Sequence, residues 1–263
     1  MNLWTKEHAM TVLPAFAVMI VVSLILARLL KNKEEKYRMI PVQIIACTLL
    51  VLEIIKQAKS IANGYDLYHI PLHFCSLFVY FMPLFAFYKG KFQKQIRAFT
   101  TICCAMLFMF MLIYPTMIYS DSNIINFTNT FWDFHTVAFH NLVCFAFILI
   151  LALRLYDFDT KHDMKVIIVG YSVYSLIGAI MANVLKTNYN GFYRCGIEPI
   201  AQFVDKLVAQ IGWPGQLIYV LGMSAATILF GYVCYWIFRG LFALINVIKN
   251  AIVSKKQNKV EQN

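Results

Sequence analysis

Apolar positions along this chain fall into seven runs, at 10–30, 39–59, 69–88, 98–118, 135–155, 165–185 and 216–238. Each run approaches the roughly 20 residues that a helix needs to cross about 30 Å of hydrocarbon. Strands of that length are too long for a barrel, and a bilayer core leaves backbone groups no water to bond. The pattern predicts an all-α polytopic membrane bundle of seven transmembrane helices. The domain so defined covers 1–248 and is followed by a polar, basic tail over 249–263.

Polar positions between the runs alternate in charge. The segment around 31–38 is basic, with Arg28, Lys31, Lys33, Lys36 and Arg38. Loop 60–68 has no Lys or Arg, loop 89–97 has Lys89, Lys91, Lys94 and Arg97, and loop 119–134 has none. Arg154, Lys161 and Lys165 flank the next turn, and Lys249, Lys255, Lys256 and Lys259 follow the last run. Cytoplasmic loops carry the excess of Lys and Arg, so the N-terminus is expected outside and the C-terminus in the cytoplasm. Basic residues follow the first run instead of preceding it, the reverse of a secretory signal, so it is read as an uncleaved helix. The expected location is a cell membrane, spanned several times.

The one long connection, 186–215, contains Asn190-Gly191, Gly196, Pro199 and Trp213-Pro214-Gly215, all turn or breaker signals. Within it Ile200, Phe203, Val204, Leu207, Val208 and Ile211 recur at helical spacing, predicting an amphipathic helix over 198–211. Such a helix lies at the interface or caps the bundle; an ordered external loop is the alternative for the same stretch.

Composition agrees. The chain is 60% hydrophobic and 14% charged, against about 25% charge in soluble domains. A net charge of +10 raises nucleic acid as a partner, but the cations sit in short loops beside apolar runs, which points to membrane orientation instead. Cys47, Cys103, Cys104, Cys144 and Cys234 lie inside runs and read as small hydrophobes; only Cys75 and Cys195 fall near a surface.

Ionisable residues at membrane depth are expensive and mark candidate sites. Glu53 and Lys56, three apart on the second run, share a face and can pair. The third run opens with His69-Ile-Pro-Leu-His73-Phe-Cys75. Pro71 favours a helix start there. A thiol in a first helical turn lies at the positive end of the dipole, which favours thiolate. His73 lies about 200° from Cys75 around a helix, so a base for Cys75 is expected from another span. The fifth run opens with Trp132-Asp133-Phe134-His135 and continues to His140. The two imidazoles are about 140° apart, so one of them is expected to face Cys75, with Asp133 available to orient it. Asn183, Asn188 and Tyr189, where the sixth run ends, offer donors for a lipid head group or an oxyanion. Ser175, Gly178, Ala179 and Ala182, with Gly222 and Ala226 on the seventh run, are read as close-packing positions.

Pro71-Leu72-His73-Phe74-Cys75, Phe131-Trp132-Asp133-Phe134-His135, Thr187-Asn188-Tyr189, Pro199 and Gly212-Trp213-Pro214 resemble the YwaF-type bacterial integral membrane proteins. Those are similar to the eukaryotic transmembrane protein 164 acyltransferases. The resemblance covers about residues 40–240. It implies a seven-helix protein that moves an acyl chain between membrane phospholipids through a thioester. Carried over by position, Cys75 is the nucleophile and His135 the base, with His140 a second candidate. His73, Glu53, Lys56, Asn183, Asn188 and Tyr189 are then expected around the substrate, with no metal or cofactor. The chain departs from the pattern at Thr136, where Gly is common, and at Tyr193-Arg194-Cys195.

Two other functions fit the same residues. His69 and His73 form H-x-x-x-H, which with His135 or His140 suggests a metal-dependent membrane hydrolase. Pro71 weakens that, since His69 then precedes the helix. Glu53 and Lys56 as a coupling pair suggest a transporter, although no inverted repeat is visible.

Overall fold

A computed structural model describes the chain over residues 3–261, with side chains to Val247. The described residues form helices and no strand. In chain order the helices are α1 (Lys6–Leu29), α2 (Glu35–Ala62), α3 (Leu77–Phe87), α4 (Gln93–Ile113), α5 (Asp121–Ile125), α6 (Phe131–Ala152), α7 (Thr160–Val184), α8 (Glu198–Ile211) and α9 (Trp213–Glu261). Six of these, α1, α2, α4, α6, α7 and α9, are long and apolar enough to cross a membrane.

The expected span at 69–88 differs. Its helical part is Phe74–Phe87, about 21 Å at 1.5 Å per residue, short of a full bilayer. Single 3₁₀ turns at Leu67–His69 and Phe74–Ser76 precede and open it. Between them Pro71 removes a backbone donor, and His73 is extended (φ −67°, ψ 154°). Backbone of this kind is tolerated at membrane depth only where protein or a watered cavity covers it.

Side chains from two other helices and a loop supply that cover. The Tyr189 hydroxyl donates to the Leu67 carbonyl. Gln57 Nε2 donates to His69 O at 2.8 Å, and Asn190 Nδ2 to Leu72 O at 3.0 Å. Tyr174 adds a longer bond to Leu72 O, 3.4 Å, and Asn190 Oδ1 accepts the Phe74 N–H. Asn190 has φ 55°, a left-handed conformation that Asn tolerates better than most side chains.

Local capping sets the other ends. Thr130 caps α6, accepting from the Asp133 N–H at 3.1 Å and donating to its carboxylate at 2.5 Å. Asp159 caps α7. Gly212, at φ 68°, ends α8 and lets α9 start at once. The predicted amphipathic helix 198–211 forms over those residues and lies on α9 through Ala201 and Val204. Helix α9 continues unbroken to Glu261, past the end of the seventh run at 238, and the side chains of the basic tail lie outside the described residues. On α7 the close-packing positions Ser175, Gly178, Ala179 and Ala182 are buried as expected. Gly222 is not: a Cβ there would meet nothing within 4 Å. Cys47 is exposed on the lipid-facing side of α2, unlike the other cysteines of the runs, and all seven cysteines are free.

The basic loops gather at one end of the bundle. Arg97 pairs with Glu35 and Lys94 with Asp159, both at 2.6 Å. Arg38 donates to Leu153 O at 2.7 Å and Arg154 to Asn246 at 3.1 Å. At the opposite end the start of α1 is tied to the α4–α6 connection. Trp4 donates to Leu112 O at 3.1 Å, Thr5 donates to Asp121 at 2.5 Å, and His8 lies 2.8 Å from Tyr119 O.

Candidate active site

The end without basic loops holds a cavity of about 680 Å³. It is lined by Glu53 and Lys56 of α2, His73 and Cys75 of the α3 approach, and His135 and His140 of α6. Its depth is apolar, with Met106 and Phe110 of α4, Phe139 of α6, and Met223 and Phe230 of α9. Six residues from three separate stretches of sequence thus converge on one volume. Both α6 imidazoles line it, where one was expected, because the cavity wraps around the first turns of that helix.

Glu53 is buried, and Lys56 Nζ lies 2.8 Å from its Oε1. Gln57 Nε2 donates to the same oxygen at 2.6 Å. That leaves Oε2 facing His135, 3.8 Å from Nε2. His135 Nε2 is buried without a hydrogen-bond partner. A buried unpaired ring nitrogen is costly, and here it lies on the wall of a cavity. His140 differs, since its Nδ1 is 2.6 Å from Thr136 O. A carbonyl can only accept, so that nitrogen carries the hydrogen and Nε2 keeps the lone pair.

No imidazole hydrogen-bonds Cys75 among the described residues. Cys75 is half-buried in the 3₁₀ turn that opens α3, where Asn190 Oδ1 accepts the Phe74 N–H and His73 O the Ser76 N–H at 2.9 Å. His73 is turned away from it, toward Tyr68 O at 3.1 Å, and packs edge-on against Tyr189 at 5.2 Å. A carbonyl can only accept, so Nε2 carries a hydrogen and the ring serves as a donor that fixes the loop.

Asp133 does not orient an imidazole. Its oxygens accept from Asn123 Nδ2 at 2.6 Å and from Thr130, so it caps α6, and Glu53 is the carboxylate beside His135. Asn183, Asn188 and Tyr189 do not line the cavity. Asn183 bonds Ala179 O, Phe192 O and Gln216, and Asn188 accepts from the Arg194 N–H. They brace the 186–196 loop, from which Asn190 reaches the site instead. The Asn190-Gly191 turn signal marked that position, but nothing in the sequence tied it to Leu72 and Phe74.

His69 and His73 do not share a face. His69 Nδ1 lies 2.6 Å from Ser60 Oγ, and its ring stacks on Trp132 at 4.6 Å. Among the described residues no three His, Cys, Asp or Glu side chains converge on a common point as metal ligands do. Glu53 and Lys56 satisfy one another.

A family model, the TMEM164 family, matches residues 3–235, all six long apolar helices falling within or beginning in that range. The chain belongs to the TMEM164 family. The resemblance carried by Pro71 to Cys75 and Phe131 to His135 is borne out at that level. The protein is a multi-pass membrane protein of the TMEM164 family, with its polar cavity at the end away from the basic loops. Searches of curated proteins and of solved structures returned no match.

Proposed function

We propose that this TMEM164-family protein is a membrane acyltransferase that moves an acyl chain between phospholipids through a thioester on Cys75. The observation that carries this reading is the composition of one cavity wall: a cysteine, the two α6 imidazoles and a carboxylate at its polar rim, with an apolar depth suited to an acyl chain. The third apolar stretch completes a seven-span bundle, with the short α3 and its irregular approach forming the reactive mouth.

In the first half-reaction an imidazole takes the Cys75 proton, and the sulfur attacks the ester carbonyl of a donor phospholipid. The C–O bond breaks, the imidazolium returns its proton to the leaving lysophospholipid oxygen, and the acyl group remains on sulfur. In the second, the hydroxyl of a lysophospholipid gives its proton to the imidazole and attacks the thioester, releasing the thiol. His135 is the base, with Glu53 facing its ring to stabilise the imidazolium. His140, with its lone pair fixed on Nε2, is the second donor-acceptor on the wall. Among the described residues no imidazole hydrogen-bonds Cys75, so in this reading substrate binding draws the two together. Catalytic hydrogen bonds are often loose before substrate arrives.

The test is acyl exchange in proteoliposomes between a phospholipid with a labelled chain and an unlabelled lysophospholipid. The wild type should exchange the label and carry a hydroxylamine-labile acyl group on Cys75, detected by mass spectrometry. Cys75→Ala should fall to the protein-free background. His135→Ala should lose about 10²- to 10⁴-fold, the usual contribution of a general base. Full exchange by Cys75→Ala, or none by the wild type, would overturn the reading.

A further inference from the structure

A second cavity of about 670 Å³ lies on the other side of the 71–75 segment. Helices α3 and α7 both pack on α4. Near the reactive mouth the gap between them is closed by Phe74, which meets the rings of Tyr171 and Tyr174 at 6.5 and 6.4 Å. Away from that closure the short α3 leaves a cleft toward lipid. Ile96 and Phe99 of α4 line it, with Tyr80 and Phe81 of α3 on one side and Val169 and Val173 of α7 on the other. Tyr174 lines both cavities.

The cleft has a polar end and an apolar end. Its polar end is at the basic face, where Gln95, His162 and Lys165 line it. Lys165 is exposed and has no carboxylate partner among the described residues. His162 Nδ1 lies 3.1 Å from Asp163, so Nε2 is the ring atom left for a ligand, and it is buried without a partner. The first turn of α7 begins beside them with its His162 N–H already capped by Asp159, so the anion site rests on the Lys165 and His162 side chains. From Lys165 to Gly178 along α7 the cleft runs about 20 Å at 1.5 Å per residue, more than the roughly 15 Å of a single leaflet's hydrocarbon.

We infer that this cleft is a binding site for an anionic phospholipid of the leaflet at the basic face, with its phosphate at Lys165 and His162 and one acyl chain lying between α3 and α7 up to Leu72 and Tyr174. A chain in that position supports the segment that carries Cys75 from behind, on the far side of Tyr174 from the reaction cavity. The inference does not depend on the acyl-transfer chemistry. The charge at the polar end selects phosphatidylglycerol over phosphatidylcholine, since the latter's choline offsets the phosphate.

The test uses the full chain in nanodiscs of phosphatidylcholine doped with either of two photo-reactive probes, a phosphatidylglycerol or a phosphatidylcholine with the same diazirine-bearing chain. The phosphatidylglycerol probe should label the 166–177 stretch of α7 and Tyr80 or Phe81 at least five times more than the phosphatidylcholine probe. Lys165→Gln with His162→Gln should remove that preference, and Val169→Trp, which fills the cleft, should reduce labelling by both probes. Modification of Cys75 by a small maleimide in the same samples reports that the bundle is intact. Equal labelling by the two probes in the wild type, or a preference unchanged in the Lys165→Gln, His162→Gln variant with Cys75 still reactive, would reduce the cleft to ordinary lipid contact and overturn the inference.

Discussion

Glu53 and Lys56 show how a charged pair is kept at membrane depth. Two ions taken from water are stable only if each satisfies the other and their remaining bonds are met. Here Glu53 Oε1 takes both Lys56 and Gln57, and Oε2 faces His135. Removing one partner should therefore cost more than removing both. Glu53→Gln leaves an unpaired ammonium and should destabilise the bundle by about 3–5 kcal/mol, whereas Glu53→Gln with Lys56→Met should recover most of that loss. Thermal unfolding of the purified variants in one detergent checks this, and additive losses would show that the pair contributes nothing as a pair. The spacing of Glu53 and Lys56 was legible in the sequence because helix geometry alone brings residues three apart together. The role of Asp133 was not. Its type and position suit either a cap or an imidazole partner, and Thr130, only three residues before it, won because a local hydrogen bond needs no tertiary arrangement.

Among the elements, the long helices were legible because lipid demands apolar length and satisfied backbone, and the sequence must display both. The approach to α3 was not, because its irregular carbonyls are covered by Gln57, Tyr174, Tyr189 and Asn190, which lie up to 122 residues away. Helix α8 was predicted from periodicity, and the structure divides its apolar arc in two. Ala201 and Val204 face the bundle, while Ile200, Phe203 and Ile211, with Trp213 after them, stay exposed. Glu198, Gln202, Asp205 and Lys206 occupy the opposite side. A helix with one apolar edge packed and the next open suits the membrane interface. Burying a side chain such as Phe203 there is worth about 1.5–3 kcal/mol. A bimane label on Phe203→Cys should be quenched strongly by brominated lipid, and the same label on Asp205→Cys should not. Equal quenching would place α8 fully in water or fully in lipid, and the interfacial reading would fail.

At the scale of the whole molecule, the separation of the basic loops from the Cys75 cavity decides which leaflet the proposed reaction would serve. The loops at 31–38, 89–97 and 154–165 meet through the Arg97–Glu35 and Lys94–Asp159 pairs, so their cations act at one surface together. The site end keeps only scattered cations, and Arg194 among them is held by Asp205 at 3.0 Å and Glu198 at 3.5 Å. Orientation follows the excess of Lys and Arg in short loops, which predicts the basic end in the cytoplasm and the Cys75 cavity open to the outer leaflet. Ser122 and Lys33 lie exposed at the two ends and serve as reporters. In intact cells a membrane-impermeant maleimide should modify Ser122→Cys, and Lys33→Cys only after lysis, with the unmodified chain as the blank for its native cysteines. The reverse pattern would leave the cavity intact but move it to the cytoplasmic leaflet. Donor and acceptor lipids would then come from the newly synthesised pool inside instead of from the outer surface. The cleft with its phosphate site at Lys165 and His162 would open outward as well, so one labelling experiment fixes the leaflet of both lipid sites.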